Sequence, residues 1–212
     1  RHHPAIWEAK KLVDSGRLGS PLFARCIYGI CGRPGYENEW RANPSKAAGG
    51  QFIEQGTHGI DLFRWFLGDL DEVSCMTTNL YFTKQSLDEG GMAIFRSKSG
   101  AIANLHTTLT QWKNQFRFEV FGEDGYVIVE GLGGSYGNEK LIVGKRDFTA
   151  PFSDKITEFR GGDISWSEEW KEFLSAIKNK RAPLGNGHDG LEAMKLGLAA
   201  YESEKKGSVV KI

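Results

Sequence analysis

The chain has 212 residues, with 27 basic and 27 acidic side chains, and 40% of it is hydrophobic. Balanced charge without a long basic run argues against nucleic acid or an anionic membrane surface as a partner. No apolar run approaches the roughly 18 residues of a membrane-spanning helix, and no signal-peptide pattern is present. The three cysteines, Cys26, Cys31 and Cys75, form neither a disulfide framework nor a zinc motif. We therefore expect a cytoplasmic protein without a metal.

The beginning of the chain predicts a helix over residues 4–15, with Pro4 in the first turn and Gly16 as the stop. His2 and His3 are interpreted as a polar lead-in to this helix; a metal site or a tag remnant is the alternative. Residues 22–30 predict a strand. Because the sequence enters a helix at once and has no initiator methionine, we expect it to start in the middle of a larger architecture.

Residues 31–48 predict a long loop, because they are rich in glycine, proline, asparagine and charge. The loop carries Tyr36, Trp40 and Arg41. A guanidinium such as that of Arg41 suits carboxylate, phosphate or sugar hydroxyl groups, which favours a binding loop. The alternative is a surface excursion in which Trp40 covers an edge of the core, and both interpretations stay open.

Residues 49–69 are the most informative segment and predict one helix. Opposite its apolar stripe, Glu54, His58, Asp61 and Trp65 share one face at i, i+4, i+7 and i+11 spacing. A carboxylate, an imidazole and a second carboxylate in line are acid–base groups, so this face predicts either a functional cleft or a solvated surface. Glu54 and His58 could also share a metal ion, but no third ligand follows at recognisable spacing.

A succession of strands follows this helix. The predicted strands are residues 73–82, 92–96, 101–110, 116–121, 126–130 and 141–143. Hairpin-type turns at 97–100 and 122–125 predict antiparallel neighbours. Alternation within 101–110 places apolar residues on a face that packs on helices and mixed residues on the other face, which we interpret as a subunit interface or a substrate wall. His106 lies on this second face and is expected to be a surface or interface residue.

The remaining segments predict a loop, two helices and an edge strand. The glycine-rich residues 131–137 follow a strand but do not match G-x-G-x-x-G, and no helix opens behind them, so they predict a loop. Ser165 and Glu168 have capping-box spacing and start a helix to about residue 178. Its expected buried side is Trp166, Trp170, Phe173, Leu174 and Ile177. A last helix over 190–205 follows His188, a cap-region residue, and residues 209–212 predict an edge strand.

Several motifs in order resemble one family. They are RHHP at residues 1–4, LVDSGRLG at 12–19, the double glycine at 49–50, E-x-x-x-H-x-x-D-x-x-R-W at 54–65 and AAYES at 199–203. Over nearly its whole length the chain resembles the C-terminal part of the glucose-fructose oxidoreductase / inositol dehydrogenase / MocA (Gfo/Idh/MocA) family. Members have an N-terminal Rossmann domain that binds NAD or NADP.

The resemblance implies an α+β fold with a large, mostly antiparallel open sheet and helices packed on one face, the N-terminal Rossmann domain being absent. It implies that residues 1–18 are the end of the nucleotide-binding domain and that residues 19–212 form a substrate-binding and oligomerisation domain. The sheet face is expected to mediate a homodimer or a homotetramer.

The same resemblance implies roles for individual residues. His58 matches the catalytic histidine, which takes the proton of a substrate hydroxyl while hydride passes to the nicotinamide. The expected substrate-binding residues are Glu54, where many members have Asp, and Asp61. Arg41 and Trp40 are expected to bind substrate as well, because of the composition of their loop and not because of the resemblance. Asp61 is otherwise an orienter of His58 or a structural partner. The glycine fingerprint and the Glu-Lys-Pro segment with the family's catalytic lysine are missing, so the chain alone is expected to be inactive.

These observations predict the substrate-binding part of an NAD(P)-dependent oxidoreductase that acts on a sugar, polyol or sugar-nucleotide hydroxyl. The aromatic loop around Trp40 and the segment 112–114 suit a carbohydrate, with an anionic group on it as a weaker expectation. One alternative is a non-catalytic binding or assembly module with the same fold. Another is a metal-dependent hydrolase or isomerase that uses Glu54 and His58.

Overall fold

A computed structural model of the protein describes residues 1–82, 86–149 and 153–212. In this part of the chain the helices are α1 Pro4–Asp14, α2 Gln51–Glu54, α3 Gly56–Leu67, α4 Ser165–Lys178 and α5 Gly187–Lys206. The strands are β1 Pro21–Cys31, β2 Leu70–Thr78, β3 Gly90–Ser97, β4 Ile102–Thr108, β5 Thr110–Gly122, β6 Gly125–Glu130, β7 Glu139–Lys145, β8 Lys155–Phe159 and β9 Val210–Lys211. None of the helices described is both long and apolar enough to cross a membrane.

All the strands described join one open sheet in the order β8-β7-β6-β5-β1-β4-β3-β2-β9. Every neighbouring pair is antiparallel except β1 and β4. Strands β4 and β5 are joined through Leu109 alone, run in opposite directions and flank β1 on its two sides, so one of them must run parallel to it. The predicted antiparallel hairpins at 97–100 and 122–125 are confirmed, as is the predicted edge strand near the C-terminus. Strand β8 lies outside all the strands that the sequence predicts.

The hydrophobic core lies between one face of the sheet and the helices α1, α3 and α5. On α3 the fully buried Phe63 packs between Phe95 of β3 and Phe118 of β5, with ring centroids 6.2 and 5.9 Å away. Gly59 lets this helix lie close to the sheet, because a Cβ there would stand 2.7 Å from the Leu105 side chain. The predicted α+β fold, with helices packed on one sheet face, is confirmed.

Helix α1 is part of this same core, through the buried residues Ala5, Ile6 and Ala9. The predicted helix over 4–15 is thus present, ending at Asp14. The predicted domain boundary between residues 18 and 19 stays a prediction. Helix α1, which lies before this boundary, packs on the sheet that follows it.

The prediction of a single helix over 49–69 is wrong in one detail. The helix is interrupted at Gln55, where the His58 N–H donates to the Gln55 carbonyl three residues back at 3.2 Å. Gln55 keeps right-handed torsion angles, φ −97° and ψ −32°, so the interruption is one residue wide. Gly56, which follows it, has low helix propensity and packs against β4, and both properties favour the break here.

Helix α4 is present, but its predicted buried side is exposed. Trp166 and Trp170 are 76% and 60% exposed, and Phe173, Leu174 and Ile177 are exposed as well. The predicted capping box is also wrong, because Ser165 is already helical and its N–H donates to Asp163 at 2.8 Å. Helical periodicity locates an apolar stripe but not what the stripe faces, and a groove of about 820 Å³ runs between α4 and the start of α1. The capping box that does form belongs to α5, on Asn186 and Asp189.

Candidate functional site

His58 lies in the first turn of α3 and points into a cleft of about 490 Å³. Its imidazole is open to solvent at one side. On the other side stands Tyr28 of β1, with ring centroids 6.1 Å apart. Tyr28 reaches this place because β1 is the central strand, on which its ring packs edge-on against Phe116 of β5 at 5.2 Å. The remaining side chains around the cleft include Arg1, Asp61, Leu132, Tyr136, Asp163, Trp166 and Glu169.

Asp61, one turn beyond His58, is held by Arg1. Arg1 donates to both carboxylate oxygens, from Nε to Oδ2 at 2.7 Å and from Nη2 to Oδ1 at 2.6 Å. The same guanidinium donates to Asp189 of α5 at 3.2 Å and lies 5.2 Å from the ring of Trp65. Its side chain is only 8% exposed. Asp61 therefore fixes the start of the chain to α3 beside His58, which fits a structural partner better than a free ligand group.

The electrostatics around His58 favour the neutral imidazole. Desolvation against the cleft wall lowers the pKa of His58 below its ordinary value, while the carboxylates of Asp61 and Glu54 act in the opposite direction. A neutral imidazole that faces a cleft can accept a proton at pH 7.

Glu54 belongs to a second cluster, under the loop at residues 31–48. The Arg41 Nε donates to Glu54 Oε1 at 2.5 Å, and the Tyr36 hydroxyl donates to Oε2 at 3.3 Å. The guanidinium of Arg41 also stacks 4.5 Å from the ring of Trp40. The sequence-predicted residues are therefore divided between two places. His58 and Asp61 line the cleft, whereas Arg41 and Trp40 belong to the loop and Glu54 lies under it.

The loop at 31–48 packs on a small core of its own, made of Tyr36, Ala42, Phe82 and Leu109. Trp40 is 54% exposed. The alternative in which Trp40 covers an edge of the core is therefore wrong, since Tyr36 and Ala42 take that position. Arg41 is engaged by Glu54, so a ligand that binds Arg41 would have to share or replace this ion pair.

Sequence reasoning missed the aromatic residues of the cleft. Tyr28 and Phe116 stand in ordinary strand patterns and carry no local signal. Tyr136 ends the glycine-rich segment, which was noticed only as a failed nucleotide motif. That segment contains a single 3-10 turn, Gly134–Tyr136, and is followed by β7, so the loop prediction is confirmed.

A metal ion requires several ligand side chains close together. Among the described residues no three His, Cys, Asp or Glu side chains come close enough together to hold a metal ion. The glycine-rich loop has no helix N-terminus behind it to receive phosphates. The glycine-rich loop therefore does not form a phosphate site for a nicotinamide dinucleotide.

The chain resembles known proteins in sequence and in fold. Among curated proteins, the chain is 25% identical over 211 residues to 1,5-anhydro-D-fructose reductase of Ensifer adhaerens, covering 99% of the chain and 60% of that protein. It is 23% identical over 220 residues to scyllo-inositol 2-dehydrogenase (NAD(+)) of Bacillus subtilis (strain 168), covering 100% and 60%. The chain thus spans about 60% of the length of these relatives.

Among solved structures, levoglucosan dehydrogenase in complex with NADH and L-sorbose superposes with a TM-score of 0.89 at 21% identity. The match covers 100% of this chain and 64% of that one, and it supports the fold. The sequence model described as GFO/IDH/MocA C-terminal domain matches residues 6–128, which is more than half of the chain. The chain therefore belongs to the GFO/IDH/MocA family.

Proposed function

We propose that this chain is the substrate-binding and oligomerisation part of a longer NAD(P)-dependent oxidoreductase that acts on a hydroxyl of a sugar or polyol. The observation that carries the proposal is His58, whose imidazole opens into a cleft between Tyr28 and the Arg1–Asp61 ion pair. Its relatives support the substrate class, since they include an anhydro-sugar reductase and an inositol dehydrogenase.

In this proposal the chain's own residues bind the ligand and accept its proton. His58 accepts the proton of the hydroxyl that is oxidised, and its lowered pKa keeps the ring free to do so at pH 7. The Arg1–Asp61 ion pair holds the helix turn that carries His58. The nicotinamide supplies the hydride acceptor, and it is held by the part of the longer protein that these residues do not form.

The other face of the sheet supports self-association. Met76, Met92, Ile94 and Ile102 are 78%, 58%, 53% and 42% exposed, and they occupy adjacent strands on one face. Contiguous exposed apolar surface of this kind marks an interaction site. We propose a homodimer or homotetramer through this face. The cytoplasm is the proposed compartment, in keeping with three free cysteines.

Self-association is tested by light scattering after size exclusion. Ile94→Lys places a charge in the exposed apolar face and should convert the oligomer into monomers. Leu198→Lys on α5, where the side chain is 52% exposed, is the matched control and should leave the mass unchanged. A monomeric unmodified chain would contradict this part of the proposal.

The oxidoreductase function is tested by sequencing the coding DNA upstream of Arg1 and expressing the whole reading frame. A strand followed by G-x-G-x-x-G, and NAD(P) reduction with a sugar or polyol, would support the proposal. His58→Ala should lower kcat by about 10²- to 10⁴-fold, and His188→Ala, at an exposed helix start, should not. A start codon directly before Arg1, or full activity in His58→Ala, would contradict it and favour the binding-module alternative.

A further inference from the structure

The glycine-rich loop at residues 131–137 holds one fixed shape beside the cleft. The Gly133 N–H donates to the Gly137 carbonyl at 2.9 Å and closes the loop on itself. Gly131 has φ +71°, and a Cβ there would stand 2.4 Å from the carbonyl oxygen of Asn138. Both the torsion angle and the space therefore require glycine. A rigid loop of this kind can present a side chain in a defined position.

The side chain that the loop presents is Tyr136. Its ring meets the ring of Tyr28 edge to face, with centroids 5.5 Å apart at 65°. These two rings line the cleft next to His58, and we call them the aromatic wall. The buried Phe116 packs edge-on against Tyr28 and supports it. Desolvation raises the pKa of both tyrosines, so both hydroxyls remain protonated donors at pH 7.

Asn114 ties this loop to the strand that carries Tyr28. Its Nδ2 donates to the Ser135 hydroxyl at 2.9 Å, and its Oδ1 accepts the N–H of Cys31, the last residue of β1, at 2.8 Å. The two tyrosines therefore stand on elements that are bonded to the same side chain, which preserves their mutual position.

Charge in the cleft favours a neutral ligand. Asp61, Asp163 and Glu169 line it with three carboxylates, against the single guanidinium of Arg1. That guanidinium is already shared between Asp61 and Asp189. An anionic ligand would meet uncompensated negative charge, whereas hydroxyl groups can donate to the carboxylates.

We propose that the aromatic wall of Tyr28 and Tyr136 is the specificity-determining surface of the His58 cleft, and that it receives the apolar face of a neutral, hydroxyl-rich ring. The tyrosine hydroxyl pair bonds one hydroxyl of that ring. Pockets that combine aromatic surface with a few convergent polar groups suit such ligands. This inference rests on the proposed function, which makes the cleft the substrate site. It argues against the anionic group on the sugar that the sequence predicts as a weaker expectation.

The test measures ligand binding to the chain of residues 1–212 by NMR, with side-chain signals of tyrosine and histidine as probes. Myo-inositol serves as the neutral probe and D-glucuronate as the anionic one. Myo-inositol should shift the signals of Tyr28, Tyr136 and His58, and glucuronate should bind at least tenfold more weakly. Tyr136→Phe, which keeps the ring, should weaken myo-inositol binding about 3- to 10-fold, the value of one hydrogen bond. Tyr136→Ala should weaken it further.

Tyr126→Phe is the matched control, because the Tyr126 hydroxyl bonds Asp154 outside the cleft, and it should bind like the unmodified chain. Equal binding in Tyr136→Ala and the unmodified chain, tighter binding of glucuronate, or no shift at the two tyrosines would overturn the inference. This binding measurement requires no cofactor, so its failure can be told apart from failure of the proposed function. Binding of myo-inositol through Tyr136, without NAD(P) reduction by the whole reading frame, would contradict only the proposed function. An active enzyme whose KM for polyols is unchanged in Tyr136→Ala would contradict only the inference.

Discussion

Arg1 and Asp61 form a two-point ion pair across 60 positions of the sequence, and it joins the start of the chain to the helix turn beside His58. Asp61→Asn keeps the shape but removes the charge that Arg1 faces. Because Arg1 is buried, we expect the free energy of unfolding to fall by about 1.5–3 kcal/mol, the range for a hydrogen bond to a charged group. Urea unfolding measures this change.

The control for this prediction is Asp14→Asn, which breaks a surface ion pair with Lys10. Asp14 is 59% exposed, so this change should cost less than about 1 kcal/mol. Equal losses of unfolding free energy in the two variants would show that the buried Arg1–Asp61 pair stabilises the fold no more than a surface ion pair.

Histidine titration should make the fold less stable in mild acid. Desolvation lowers the pKa of His58, and it is also the main cause of the lowered values at His2 and His106. As the pH falls, the unfolded chain then binds protons that the folded chain does not. The contribution of the neutral histidines to the free energy of unfolding is therefore present above about pH 6.5 and is lost as the pH falls below it. Urea unfolding at a series of pH values should show the loss, and His58→Asn should reduce its slope.

An NMR titration of His58 checks the cause directly. Its midpoint should lie below the ordinary histidine value, and Asp61→Asn should lower it further, because the Asp61 carboxylate favours the charged ring. His106→Asn, on the other sheet face, should leave it in place. A midpoint above about 6.5 would contradict the desolvated cleft.

The apolar stripe of α4 should be dispensable for stability. Trp170 is 60% exposed, so Trp170→Gln should change the free energy of unfolding by no more than about 0.5 kcal/mol. The fully buried Phe63 is the comparison, and Phe63→Ala should cost about 3–5 kcal/mol. Denaturant unfolding of both variants decides this, and a loss above about 2 kcal/mol in Trp170→Gln would mean that α4 packs against the domain.

The bonds of Asn114 should control the glycine-rich loop. Asn114→Ala removes the bonds to Ser135 and Cys31, and the backbone N–H groups of Gly133 and Gly137 should exchange with solvent about 3- to 10-fold faster. Hydrogen exchange measures this. Asn138→Ala changes an exposed residue of the same loop and should have little effect. Unchanged exchange rates in Asn114→Ala would show that the bonds of Asn114 to Ser135 and Cys31 do not hold the loop in place.

Local patterns predicted much of the fold. Alternation and hairpin turns located β3 to β6, because each strand faces a core on one side and its turn lies within a few residues. The parallel pairing of β1 with β4 was beyond such reasoning, since it joins residues 23–29 to 102–108. The surroundings of α4 were equally out of reach, because the spacing of Trp166 and Trp170 gives a stripe and not its neighbour.

The candidate site was predicted in part. The helix spacing of His58 and Asp61 placed both at the cleft, as expected for residues one turn apart. Glu54 shares that spacing, but the break at Gln55 and the partner Arg41 draw it to the loop instead. Tyr28 and Tyr136 meet only because β1 is central to the sheet, so no local pattern in either segment could have joined them.

The mixed sheet also sets an order of events during synthesis. β1 pairs only with β4 and β5 among the strands described, and about 70 residues separate the end of β1 from the start of β4. At about 5–20 residues per second, the nascent chain carries β1 for about 4–14 s before either partner exists. The strand that becomes the centre of the sheet is thus made before both of its partners, and its two edges stay unpaired during that time.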